Sequence, residues 1–164
     1  MSDATGSCAV SATLFRAIQI ERRNGSIYDS LSSVFQGYDA SVEAIFQEMA
    51  AEERQHGALL EENYRERFGV VPASTKEPKE VIEGPDLEDS EALIFDSMTV
   101  EQALEMGLRA EVGAREFYAR EAKQTTEPQL QKIYRELSEF EETHVRILQT
   151  KLDEKRRAAG AASR

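Results

Sequence analysis

The two histidines of this 164-residue chain stand at the same point of one pattern. Glu53 precedes His56 by three positions, and Glu141 precedes His144 by three. Residues three apart on an α-helix share a face, roughly 5–6 Å from one another. Each pair can therefore offer a carboxylate and an imidazole to one site. Two further glutamates sit in a second repeated pattern, Leu14-Glu21-Tyr28 and Leu104-Glu111-Tyr118, each spaced by seven and seven. The offset between these segments is 90 residues. It is 88 residues between Met49-Glu53-His56-Leu60 and Leu137-Glu141-His144-Leu148. The chain thus carries a weak internal repeat.

Glu21, Glu53, Glu111 and Glu141 all fall on otherwise apolar stripes, where a core residue belongs. Burying one ionised carboxylate without a partner is prohibitive, and burying four together is worse. Repulsion and desolvation drive such groups toward protonation, and no matching set of cations lies at these heights. Two divalent ions would balance the four carboxylates, and two neutral imidazoles would complete the donor set without adding charge. Carboxylate-rich sites with one histidine per metal suit iron or manganese, whereas structural zinc prefers thiolates in closed tetrahedra.

Four helices must position these residues, and almost nothing alternates with the period of a strand. The first is expected from about Ser11 to Phe35, reading through Asn24-Gly25 because its stripe keeps phase on both sides. A glycine inside a helix costs about 1 kcal/mol relative to alanine, so close packing is expected at Gly25. The second begins near Asp39 or Ser41, both good N-caps, and ends by Gly69. The third opens at Thr99, whose Thr-x-x-Gln pattern with Gln102 is that of a capping box. The fourth starts at Thr126, with Pro128 in its first turn. Short connections make the first and second helices one antiparallel hairpin, and the third and fourth another. The expected fold is an all-α four-helix bundle over residues 11–152, between flexible ends at 1–10 and 153–164.

The stretch 70–98 between the hairpins holds three of the four prolines and eight acidic residues against two lysines, a net −6 of the chain's −11. One long crossover distinguishes some four-helix bundles from the simple up-down kind. A short helical turn is expected within it at Ser90–Phe95.

Composition narrows the function classes. The chain has 31 acidic against 20 basic residues, and 24 of the acids are glutamate. Such a surface repels polyanions and speaks against nucleic-acid binding. No run approaches the roughly 18 apolar residues of a membrane span. The start MSDATGSCAV lacks the basic and apolar regions of a secretory signal. The lone Cys8 makes no internal disulfide, so a cytoplasmic location is expected.

Glu-x-x-His on two helices, with one further Glu on each of the other two, resembles the ferritin-like di-iron carboxylate proteins. The resemblance runs from about Ser11 to Leu152. Within it, LEMGLRAEVGAREFYAREA (104–122) and IFQEMAAEERQHGALLEENY (45–64) are most similar to rubrerythrins. The resemblance implies a ferritin-like bundle with two irons per chain. Glu21 and Glu111 would be terminal ligands, Glu53 and Glu141 bridging ligands, and His56 and His144 one imidazole to each iron. Manganese or a mixed pair would suit the same donors. Two departures matter. Rubrerythrins usually hold another glutamate one turn beyond the third-helix ligand, where this chain has Ala114. They also usually carry a module with two Cys-x-x-Cys pairs, and this chain has only Cys8. The implied ligand set is therefore symmetric, closer to a bacterioferritin-like ferroxidase centre, without a built-in electron donor.

The activity implied is that of a non-haem di-iron oxidoreductase, of peroxidase or ferroxidase type, reacting Fe(II) with peroxide or dioxygen. Its electron donor would be external. The alternative is an iron-binding or storage protein without significant turnover. A homodimer is the expected assembly, and the crossover is long enough for hairpins to be exchanged between partners. Glu52 and Glu142, adjacent to the bridging positions, fall off the stripe and read as solvated. Tyr28 and Tyr118, two turns from Glu21 and Glu111, read either as core aromatics, as donors to a carboxylate on a facing helix, or as redox-active phenols.

Overall fold

Each helix starts or stops on a local signal that the sequence carries. In the computed structural model, which describes residues 3–73 and 98–162, four helices occur and no strand is found among the described residues. They are α1 (Asp3–Phe35), α2 (Ala40–Phe68), α3 (Val100–Gln124) and α4 (Pro128–Ala162). The Asp39 side chain caps α2 by accepting from the Val42 N–H at 3.2 Å, and Lys155 of α4 pairs with the same carboxylate. Burial pushes the Asp39 carboxyl up, but the bonds from Lys155, Ser41 and Val42 outweigh it and lower its pKa to about 2. Gly69 closes α2 at φ 84°, a backbone state that favours glycine. Thr99 and Gln102 form the expected reciprocal capping box, with bonds of 2.9 and 3.2 Å. Pro128 is the first residue of α4, two positions later than the expected start at Thr126.

The outer boundaries differ more. Helix α1 starts at Asp3 and α4 runs on to Ala162, beyond the limits of 11 and 152 expected from hydrophobic periodicity. Alanine explains the C-terminal extension, since Ala158, Ala159, Ala161 and Ala162 favour helix without needing a buried face. Helix α1 passes through Asn24-Gly25 unbroken. A Cβ on Gly25 would lie 3.4 Å from the Glu53 Cβ, so the glycine lets α2 approach closely. The turn expected at Ser90–Phe95, like most of the acidic crossover, lies outside the described residues.

Packing is tightest within the hairpins α1–α2 and α3–α4, which meet mainly along α1 and α3. The apolar interior is split in two. One cluster gathers Leu14, Ile18, Leu60, Phe117, Tyr118, Leu130, Tyr134 and Leu137. The other gathers Tyr28, Leu31, Phe35, Phe46, Met49, Leu104, Leu148 and Leu152. Along α1 the first cluster ends near Ile20 and the second begins at Ile27, with Glu21 and Asn24 buried between them. The other helices likewise pass through a buried polar level between the two. That interruption is where the site forms.

Candidate metal centre

Glu21 comes from α1, Glu53 and His56 from α2, Glu111 from α3, and Glu141 and His144 from α4. All six are buried, the four glutamates to within 1% of full burial. The helical repeat brings them together in two groups. Glu21, Glu53, His56 and Glu141 form one, and Glu53, Glu111, Glu141 and His144 form the other, with the candidate donor atoms of each group within 4.8 Å of one another. Glu53 and Glu141 belong to both, so the two groups share two carboxylates.

Both imidazoles turn Nδ1 inward. His144 Nδ1 lies 3.1 Å from Glu141, 3.3 Å from Glu111 and 3.3 Å from Glu53. His56 Nδ1 lies 3.4 Å from Glu21 and 3.9 Å from Glu141. The ring centroids are 6.3 Å apart.

Left to one another, these groups perturb each other strongly. Burial, then the charges of Glu21 and Glu111, push Glu53 well above the ordinary carboxylate range. Burial and the Glu111 charge do the same to Glu141. Burial also pushes Glu111 up, yet hydrogen bonds with Glu141 and His144, the His144 charge and the Tyr28 hydroxyl outweigh it and hold Glu111 low. Burial pulls the His144 imidazole down, and its bonds to Glu111, Glu141 and Glu53 raise it well above the usual histidine value. Four carboxylates crowded and buried together disfavour one another's ionised form, a cost that a bound cation would relieve.

Orphaned atoms point the same way. Glu21 Oε2, both carboxylate oxygens of Glu53, Glu141 Oε1 and His56 Nδ1 are buried without a hydrogen-bond partner. Buried polar atoms are normally satisfied, and these atoms all belong to residues of the two groups. Oxygen and imidazole donors with no thiolate fit iron or manganese.

Tyrosines hold the outer carboxylates. Tyr28 of α1 donates to Glu111 of α3, and Tyr118 of α3 donates to Glu21 of α1. Of the readings left open for these tyrosines, the geometry gives a donor to a facing helix. Burial and the surrounding carboxylate charges raise both phenols well above their usual value. Each ring stacks on an aromatic of the other helix in its own hairpin, at matching places in the two hairpins, Tyr28 on Phe46 at 5.8 Å and Tyr118 on Tyr134 at 6.1 Å.

One residue read as solvated belongs to the site. Glu52 lies off the stripe of α2, and its side chain is 42% exposed, yet its Oε2 accepts from His144 Nε2 at 2.6 Å. Periodicity within one helix could not reveal this contact, because it depends on how closely α2 passes α4. Glu142 does lie outward, paired with Arg115 at 2.7 Å and Arg146 at 3.1 Å. Ala114, which stands in place of the extra glutamate, packs in the apolar interior. Cys8 is exposed and remote from the cluster.

Among the described residues, no helix is long and apolar enough to cross a membrane. Solved structures share the fold. A hypothetical protein from Pyrococcus furiosus superposes with a TM-score of 0.68 at 24% identity, covering 87% of this chain and 87% of its own. An uncharacterized conserved protein from Magnetospirillum magnetotacticum does so with a TM-score of 0.69 at 20% identity, covering 87% of this chain and 92% of its own. No curated protein matches the chain. A family model described as Rubrerythrin matches residues 13–152, the span that holds every residue of the cluster.

Proposed function

The chain belongs to the rubrerythrin family, and on that premise we propose that it is a non-haem di-iron oxidoreductase acting on a small oxidant, peroxide or dioxygen. The observation that carries this reading is the pair of four-residue groups sharing Glu53 and Glu141. Glu21, Glu53, His56 and Glu141 would hold one iron, and Glu53, Glu111, Glu141 and His144 the other. Bound there, the irons would supply the one-electron steps and the open positions that dioxygen or peroxide needs. The chain's own contribution is positional. Glu53 and Glu141 set the spacing of the two sites, Tyr28 and Tyr118 fix the outer carboxylates, and apolar clusters flank the polar level on either side.

Metal analysis of protein purified without added metal tests this reading, with two irons per chain expected, one for each group. Replacing Glu53 and Glu141 together by alanine should abolish that content and any peroxide consumption. Unchanged metal content in the double variant would end the proposal.

Ala114 in the apolar interior favours a second reading, iron binding or storage without turnover, because the chain offers no extra glutamate for ligand exchange at that place. Multiple-turnover peroxide assays separate the two. Stoichiometric iron oxidation that stops after one cycle supports storage.

A further inference from the structure

The two hairpins follow one pattern at every residue of the cluster, but they diverge at the position just before each shared glutamate. Here α2 carries Glu52 and α4 carries Phe140, related by the same offset that relates Glu53 to Glu141. The substitution changes what each histidine meets on its outer side. Glu52 Oε2 accepts from His144 Nε2 at 2.6 Å. His144 is therefore held at both nitrogens, with Nε2 on Glu52 and Nδ1 facing Glu53, Glu111 and Glu141. Across the bundle, the Phe140 ring packs on His56 with centroids 5.1 Å apart and planes inclined by 47°. Among the described residues, the carboxylates close to His56 both face its Nδ1, an atom left without a hydrogen bond.

We propose that the two metal positions are inequivalent, and that Glu52 is the positioning residue that makes the Glu53–Glu111–Glu141–His144 group the tighter and first-filled of the two. This rests on the metal-centre reading given above. A ligating imidazole must present a lone pair at one nitrogen and carry its proton on the other. A carboxylate accepting that outer N–H fixes tautomer and ring orientation and raises the basicity of the ligating nitrogen. His144 has this support from Glu52. His56 has an aromatic ring instead, which packs against it without accepting a comparable bond. The group around His56, whose Phe140 neighbour is 54% exposed, is then the later-filled and more readily exchanged position.

Calorimetric titration of the metal-stripped full chain with Co(II) alone tests this. Two binding steps are expected, separated by about tenfold or more. Glu52→Ala should weaken the tighter step by roughly 10–100-fold and leave the weaker one unchanged. Glu52→Gln, which keeps a carbonyl acceptor, should recover some of the loss. Phe140→Glu should strengthen the weaker step by about tenfold by giving His56 the missing acceptor. Thermal unfolding of each stripped variant serves as the control, since a merely structural role for Glu52 would shift that transition and both binding steps together. If Glu52→Ala moves both steps equally, or neither, the inequivalence is overturned while the metal centre stands. If the natural chain takes up no Co(II), the metal centre falls, and this proposal falls with it.

Discussion

Tyr28 on α1 and Glu111 on α3 are 83 positions apart in the chain and are joined by a buried hydrogen bond in which the phenol donates to the carboxylate. Its counterpart, Tyr118 to Glu21, runs the opposite way between the same two helices. Together they tie the hairpins at the level of the cluster, α1 gripping α3 and α3 gripping α1.

Removing either phenolic hydroxyl should therefore be felt in both stability and metal affinity. Tyr28→Phe leaves the buried Glu111 short of a donor, and a loss of about 1–3 kcal/mol is expected in denaturant unfolding of the stripped chain. The affinity of the ion held by Glu111 should fall by about tenfold in metal titration. Tyr118→Phe should do the same for the ion held by Glu21, leaving the other ion unaffected.

Shared and unshared carboxylates are expected to behave differently. Glu53 belongs to both groups and Glu21 to one. Glu53→Gln should abolish uptake of both ions, whereas Glu21→Gln should remove one. Without metal, Glu53→Gln should raise stability at neutral pH by about 1–2 kcal/mol, because it replaces a carboxyl whose ionised form is disfavoured by burial and by the charges of Glu21 and Glu111. Metal analysis and chemical denaturation of the same two variants check both halves of the prediction.

The stripped chain should lose stability as pH rises. Glu53, Glu141 and His144 are all raised in the fold. A raised group contributes stability that is present below its unfolded pKa and lost as pH climbs through the folded value. That loss starts at about 4.5 for the glutamates and about 6.5 for the histidine. Glu111 is lowered, so its contribution has the opposite sign, but its window lies below about 4.5. The melting temperature of stripped protein should thus fall between about pH 5 and 8. Metal requires the deprotonated ligands and binds more tightly as pH rises, so the stabilisation by Co(II) or Mn(II) should widen over the same interval.

Helical glycines offer a test of packing. A Cβ at Gly113 would meet nothing within 4 Å, whereas one at Gly107 would lie 3.1 Å from Leu148 Cδ1 and 3.4 Å from the Tyr28 ring. Gly113→Ala should stabilise the fold by about 0.5–1 kcal/mol through helix propensity alone. Gly107→Ala should give none of that gain, since the added methyl presses on the ring that holds Glu111. Thermal unfolding of the two single variants decides it.

Most of the site was legible before any coordinates, because the helical period places residues on faces. Leu14, Glu21 and Tyr28 share a stripe whatever the partner helix does, and the same holds for Glu53 with His56. Caps were legible for a similar reason. Asp39, Thr99 and Gln102 act within one turn, where spacing in sequence is spacing in space. Both outer boundaries moved, to Asp3 and Ala162, and the one at Ala162 lies in an alanine-rich end that carries helix propensity but no apolar stripe to read.

By itself, then, the sequence determined the four helices, their buried faces and the six residues that meet at mid-bundle, all consequences of local periodicity and of the cost of burying lone carboxylates. Only the tertiary structure decided which phenol serves which carboxylate, that Glu52 reaches His144, and that Phe140 stands where His56 would need an acceptor. Those are distances between helices, set by how α2 passes α4 and α1 passes α3. No spacing along a single helix encodes such a distance.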